Sequence, residues 1–324
     1  SNNMAGNSKE IQRRIKSIGN TRKITRAMEM VSASKMKKEI NRVLQVREYA
    51  RASWGVLTNL SKAFDRLEHG LLEVREVKRV LIVLITSNRG LCGAYNAQII
   101  KKLSQQVKNP KLLKINRIGN EKIGSTIKDE DLEFDYIAVG KKGFNYLARR
   151  DKDVVASFED FNYSPSVEAV RSLARIVIDD YVSGKYDKVV VAYTDFKNTA
   201  VQVPKLRQLL PISKIDIEKQ IEEMNREDDV KDLKEKEEII DYKIEPKPIK
   251  VLQQLLPRLV EVQLYHAVLE SNASKESARM LAMKNASDAA ADMITELQYS
   301  YNQIRQTGIT QEIAEITSGR AALE

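Results

Sequence analysis

The sequence has a single cysteine, Cys92, in 324 residues. An internal disulfide is therefore excluded, and a reducing compartment is expected. Aromatic residues reach only 6% and prolines number seven. Such a chain is poor in the bulky residues of sandwich and barrel cores and rich in good helix formers. No apolar run is long enough to span a bilayer: the longest, "VLIVLIT" at 80–86, is a buried strand in length and content. A signal peptide is not expected, and the three residues before Met4 are expected to be foreign to the natural chain. Two histidines, His69 and His266, stand far apart and give no metal-ligand spacing.

What is present in quantity is charge, and it is unevenly placed. The formal net charge is +9, and the stretch from Lys9 to Arg51 alone holds thirteen Lys/Arg against four Asp/Glu. From Asp216 to Asp241 the balance reverses, with twelve acids and five bases. The basic segment implies an acidic partner, whether nucleic acid, anionic lipid or an acidic protein surface.

Proline is absent from about Ser8 to about Glu68, and apolar residues fall at helical spacing in three groups. These are Ile11, Ile15, Ile18; then Ile24, Met28, Val31; then Met36, Ile40, Val43. The groups do not join into one heptad, so a stutter is expected in a helix over 8–68, roughly 90 Å long at 1.5 Å per residue. A second long helix is expected over 248–320, about 105 Å by the same rise, with Pro257 kinking it or delaying its start. Its later part continues through Ala286, Ala290, Met293, Leu297, Tyr301 and Ile304. Neither stripe can be buried alone, so the two terminal helices are expected to pair as an antiparallel coiled coil. The small residues of "NASDAAADM" and Ser32, Ala33 and Ser34 would let them approach closely.

Between them, 77–212 reads as a Rossmann-like α/β domain. "RVLIVLIT", "FDYIAVG" and "DKVVVAYTDF" are strands. "SPSVEAVRSLARIVIDDYVSG" is a helix capped by Ser164 or Ser166 and ended at Gly184, and "TAVQVPKLRQLLPI" is an antiparallel edge strand. Two stretches fit this alternation poorly, 109–133 and the charged run 213–247. Both read as surface insertions or linkers.

No catalytic constellation emerges, and no cofactor or metal site is expected. "GNEKIGST" at 119–126 resembles a phosphate-binding loop but has Ser125 where the pattern needs lysine. "RGLCG" lacks the third glycine of a dinucleotide fingerprint. His69 is expected at the end of the first helix beside Gly70, where imidazole complements the helix dipole. His266 and Cys92 read as packing residues, and the carboxylates on helices as solvated surface. A nucleic-acid-binding basic coiled coil would interleave aromatics, and 9–51 offers only Tyr49. A cytoskeletal scaffold would leave the α/β domain unexplained.

Three stretches carry a resemblance. "KEIQRRIKSIGNTRKITRAMEMVSASKMKK" near the start, "TSNRGLCGAYN" in the middle and "LLPRLVEVQLYHAVLESNASKESARM…RQTGITQEIAEITSGRAAL" at the end resemble the γ subunit of rotary F-type ATP synthase. The resemblance implies a non-catalytic central-stalk rotor. It would stand in a ring of three α and three β subunits, bind the ε subunit and rest on the membrane c-ring, without spanning the membrane or binding nucleic acid. It would lie peripherally on the cytoplasmic face of the cell membrane and couple ion-driven rotation to ATP synthesis or hydrolysis on β. The family's contacts with the α/β ring map onto Met28, Arg305, Gln306, Thr310 and Glu312. Its contact with an acidic lever of β maps onto Arg22, Lys23, Arg26, Lys35 and Lys37. The final "ITQEIAEITSGRAAL" would sit in the apolar sleeve of the ring as a bearing. Two positions depart from the family pattern: Asn88 stands where Asp is usual, and Arg320 follows Gly319 where Ala is usual. Neither insertion holds a cysteine, so thiol regulation of the kind found in chloroplasts is not expected.

Overall fold

The computed structural model describes residues 2–59, 69–118, 121–124, 126–159, 161, 165, 167–213 and 248–321. The acidic run 213–247 and both proposed caps, Ser164 and Ser166, thus lie almost entirely outside the described residues. The chain divides into two compact units, one of residues 1–34 with 279–324, the other of residues 35–278.

A long helix, α1 (Asn2–Asn59), opens the chain, and another, α5 (Pro248–Ala321), closes it. In the first unit they run antiparallel: the Gln12 amide Nε2 donates to the Tyr301 hydroxyl at 2.7 Å. The covered face of α1 here differs from the expected stripe. Thr25 and Ser32 are buried, whereas Ile24 and Val31 are 61% and 53% exposed. Ile11, Ile15, Ile18 and Met28 are half-buried. The covered positions 11, 15, 18, 25 and 32 belong to one 4,3 repeat, so no stutter is needed. The repeat was hidden because small polar residues hold two of its places.

The same correction applies to α5. Met293 is exposed and Ile294 takes its place in a row of covered residues. That row runs Met283, Ser287, Ala290, Ile294, Leu297, Tyr301, Ile304 and Gly308, alternating steps of four and three. Ser287 and Ala290 facing a helix with Thr25 and Ser32 permit the close approach that large side chains would block. Pro257 neither delays nor ends α5, which begins at Pro248 and runs through it.

The second unit is built on a five-stranded sheet of order β5-β4-β1-β6-β7. Its strands are β1 (Arg79–Ile85), β4 (Glu133–Val139), β5 (Val154–Phe158), β6 (Lys188–Phe196) and β7 (Gln202–Leu210). The first four run parallel, and β7 adds an antiparallel edge on β6. Pro204 sits in that edge strand, where a missing N–H is tolerated. Both faces of β1 are buried, as its uninterrupted apolar run requires. Leu81, Val83 and Ile85 pack with α4 (Val167–Val182) and the start of α5. Val80, Ile82 and Leu84 pack with α2 (Tyr95–Lys108) and α3 (Lys141–Ala148).

β5 and α3 were not foreseen from the sequence, and the stretch 109–133 is more than a surface insertion. It carries an antiparallel hairpin, β2 (Ile115–Ile118) with β3 (Glu121–Gly124). Leu113 and Leu132 on its flanks join the core, and buried Asn116 donates from Nδ2 to the Arg75 carbonyl at 2.9 Å. "GNEKIGST" therefore contributes a hairpin strand, and among the described residues no α-helix follows it directly to present amides to a phosphate.

Candidate functional site

The residues that the resemblance assigns to partner contacts are placed mainly on helix surface. Arg22, Lys23, Lys35 and Lys37 are exposed on α1. Arg26 is also exposed but spends its guanidinium on Glu29, one turn on, at 2.8 Å. Lys35 and Lys37 belong to the second unit and the other three cations to the first. Met28 is half-buried on the covered face of α1.

Towards its C-terminal end α5 loses its covered face after Gly308. Arg305, Gln306, Thr310 and Glu312 are all exposed. Thr310 returns its hydroxyl to the Gln306 carbonyl at 2.9 Å, a local bond to the backbone that does not engage the Gln306 side chain. Arg305 and Glu312, seven residues apart on one face, make no ion pair or hydrogen bond among the described residues. Beside them Ile309, Ile313 and Ile316 are exposed by 47%, 59% and 72%. Isolated apolar residues on a surface are ordinary, but three at helical spacing beside uncommitted charged groups form a surface with the chemistry of an interface.

At the C-terminal ends of β1 and β4 the "TSNRGLCG" turn is tightly bonded. The Thr86 hydroxyl oxygen accepts from the Gly143 N–H at 2.8 Å and donates towards the Val139 carbonyl at 3.1 Å. Gly140, at φ +98°, lies so close to Thr86 that a Cβ would collide with its carbonyl. Asn88 uses both ends of its amide: Oδ1 accepts from the Lys141 N–H at 2.8 Å and Nδ2 donates to the Glu159 carbonyl at 2.6 Å. An aspartate could not make the second bond. Cys92 is buried and accepts from Asn96 Nδ2 at 3.2 Å.

Sequence reasoning missed the most polar part of the interior. Residues 270–277 of α5 are all buried, and most are polar. Ser271 Oγ accepts from the Thr194 N–H at 3.1 Å, and Ser274 Oγ donates to the Thr194 carbonyl at 3.2 Å. Asn272 Nδ2 donates to the Phe161 carbonyl at 3.0 Å, and Ser277 Oγ to the Thr199 carbonyl at 2.7 Å. His266 is buried too, with Nε2 3.3 Å from Glu270. Beside them Asp195 is bracketed by Lys205 at 2.5 Å and Lys197 at 3.2 Å. Burial works to raise the Asp195 pKa, yet the Lys205 ammonium, helped by Lys197, outweighs it and holds the carboxyl below its usual range. Glu39 is dominated instead by burial, which raises its pKa against the pull of Arg42. The carboxylates of Glu39, Glu270 and Glu276 are therefore not solvated surface, as their helical setting suggests, but interior groups. Residues 60–68, on which the expected helix end at His69 depends, lie outside the described residues; the His69 Nδ1 accepts from the Leu71 N–H at 3.2 Å. Only the run of serine and asparagine in "ESNASKES" hinted at such an interior.

Among the described residues, no group of three or more His, Cys, Asp or Glu could hold a metal ion, and no helix is long and apolar enough to cross a membrane.

Comparison with known proteins agrees over the full length. The ATP synthase family model, ATP-synt, matches residues 7–323. The ATP synthase gamma chain of Legionella pneumophila (strain Corby) is 36% identical over 320 residues, covering 99% of this chain and 100% of the relative. That of Cupriavidus pinatubonensis is 38% identical over 320 residues, with the same coverage. Among solved structures, the rotor of the Euglena gracilis mitochondrial ATP synthase superposes with a TM-score of 0.58 at 17% identity, covering 94% of this chain and 99% of the other, a likeness of fold. The central stalk and c-ring structure from Tetrahymena thermophila gives 0.53 at 25% identity, covering 82% and 99%. With long helices at both termini, a parallel-rich sheet between them in sequence and full-length matches to relatives, the chain belongs to the gamma-chain family of ATP synthase, the central stalk of the F-type enzyme.

Proposed function

We propose that this chain is a rotor that transmits torque and does no chemistry itself. One γ chain stands in a ring of three α and three β subunits, binds ε, and rests on the membrane c-ring at the cytoplasmic face of the membrane as a peripheral subunit. Ion flow turns the c-ring, the chain turns with it, and the face presented to each β selects its open or closed state through differential contacts.

The observation that carries this reading is the end of α5. The covered row stops at Gly308, yet the helix continues to Ala321 with Ile309, Ile313 and Ile316 exposed, and Arg305 and Glu312 make no ion pair or hydrogen bond among the described residues. A helix end of this kind needs a sleeve, and α and β supply it. Arg305 and Gln306 hydrogen-bond loops of β at one rotary angle, with Thr310 and Glu312 beside them, and Met28 packs close to that contact. A guanidinium suits the role because it can meet a carboxylate through two parallel bonds. Arg22, Lys23, Arg26, Lys35 and Lys37 face the acidic lever of β. Exposed pairs are each worth about 0–1 kcal/mol, weak enough to break every turn.

The test is reconstitution with α and β subunits of a close relative, followed by native mass measurement and an ATP hydrolysis assay. An assembly of three α, three β and one γ, with hydrolysis that depends on γ, is the expected result. Failure to assemble, with salt-sensitive binding of DNA or RNA instead, would assign the basic segment to nucleic acid.

A further inference from the structure

Two adjoining hollows in the second unit are not accounted for by a rotor's contacts with its ring. The first, about 430 Å³, lies between α4 and α5 and is rimmed by Arg171, Arg175 and Arg258, with Glu261 and Asp179 as its acids. The second, about 440 Å³, shares Arg258 and Glu261 and is walled by Val46, Val167, Val262 and Tyr265, with Arg42 at its edge. Volumes of this size are those of small-molecule sites.

The cations of the first hollow are unequally committed. Arg258 clasps Glu261 at 2.7 Å. Arg171 Nε stands 3.7 Å from the same carboxylate, buried and without a hydrogen bond. Arg175, one turn along α4 from Arg171, makes no ion pair or hydrogen bond among the described residues. Three guanidiniums against two carboxylates leave one positive charge in excess. Two of them also keep most of their planar donor forks open, on the same face of one helix. That geometry fits a tetrahedral oxyanion, which takes paired bonds from arginine. The apolar walls next door, with the Tyr265 ring among them, fit a flat apolar body joined to that anion.

We infer that the paired hollows form a binding site for a soluble organic phosphate of nucleotide size. Its phosphate lies between Arg171 and Arg175, and its flat body lies against Val167, Val262 and Tyr265. The two acyl chains of a membrane phospholipid together would overrun a second hollow of about 440 Å³, which disfavours a membrane lipid. The inference is independent of the rotor reading, because both hollows lie within one compact unit and need no partner chain.

Isothermal titration of the purified full-length chain with ADP and with inorganic pyrophosphate tests it, without metal or other subunits. ADP should bind, and pyrophosphate more weakly, since it fills only the first hollow. Arg175→Gln should weaken both by about tenfold, the value of one charge-assisted hydrogen bond. Arg175→Lys should restore part of the loss. Val167→Glu should weaken ADP and spare pyrophosphate. Arg175 and Val167 are exposed, so the fold is expected to survive all three changes, checked by thermal melting. The site is overturned if ADP does not bind at millimolar concentration, or if Arg175→Gln binds it as the unaltered chain does. It is equally overturned if phosphatidylglycerol vesicles capture the chain through Arg175 while ADP is ignored, since the anion would then be a membrane surface.

Discussion

Gln12 and Tyr301, 289 residues apart in the chain, meet through one hydrogen bond from the Gln12 amide to the Tyr301 hydroxyl at 2.7 Å. The bond is exposed, so water competes for both groups. Tyr301→Phe should cost less than about 1 kcal/mol, and Gln12→Ala should add almost nothing once the hydroxyl is gone. A double-mutant cycle by chemical denaturation checks this. A coupling near zero would mean that the bond reports the helix pairing without stabilising it.

Two glycines should respond oppositely to alanine. At Gly140 the backbone is left-handed and a Cβ would strike the Thr86 carbonyl, so Gly140→Ala should lose about 2–4 kcal/mol. Gly308 stands on a helix with open space around it: nothing lies within 4 Å of the place a methyl would take. Gly308→Ala should therefore gain about 0.5–1 kcal/mol. Melting temperatures of the two variants decide it.

Alkali should unfold the second unit steeply. Burial raises Tyr136 from 10.0 to about 12 and pushes Tyr181 and Tyr186 higher still, with Tyr186 further held by its bond to Asp135. A folded-state pKa above the unfolded value gives stability that is complete below pH 10 and lost as pH climbs through the native values. The phenolate absorbance of these three tyrosines should therefore appear together with loss of helical circular dichroism, not ahead of it. Asp195 works in the other direction. Its depressed pKa contributes stability above its unfolded value of about 3.8, lost as pH falls through the folded one.

Arg305→Ala should leave stability within about 0.5 kcal/mol of the unaltered chain, because the side chain is exposed and makes no bond among the described residues. In the reconstituted complex it should slow γ-dependent hydrolysis about fivefold, the rate equivalent of about 1 kcal/mol. Unchanged hydrolysis would remove Arg305 from the contact.

Asn88→Asp should destabilise the turn after β1, because a carboxylate would face the Glu159 carbonyl that Asn88 now donates to at 2.6 Å. A loss of about 1–3 kcal/mol is expected, with partial recovery at acid pH as the carboxyl protonates. Denaturation curves at neutral and acid pH separate the two effects.

The long helices and most of the sheet were legible because their signals are periodic. β1 is an unbroken apolar run and both terminal helices keep 3,4 spacing. The helix seam was legible only in outline. Thr25, Ser32 and Glu39 occupy covered heptad positions, while Ile24, Val31 and Met293 sit one residue off and face out. Reading by hydrophobicity chose the isoleucine and the valine, although close helix packing favours small side chains. β5 was missed because its faces alternate only half-buried, on a sheet edge. The buried polar turns of α5 gave no periodic signal, since their partners are the backbone groups of Thr194, Phe161 and Thr199, which lie far off in sequence. The proposed partner surface rests on the resemblance alone. Arg305 and Glu312 have no physical mark in the sequence that separates them from any other exposed pair.

The clasp of Ser271 and Ser274 on the two backbone groups of Thr194 makes the middle of α5 behave as a key in its slot. An apolar helix in a greasy groove can roll, because dispersion is indifferent to which methyl meets which. Here a roll by one residue would carry each hydroxyl about 100° away from its peptide partner and strand Asn272 from the Phe161 carbonyl. Twist applied along α5 is thereby resisted at its seat by several directional bonds at once, and slippage, the failure of a smooth axle in a smooth hub, is designed out.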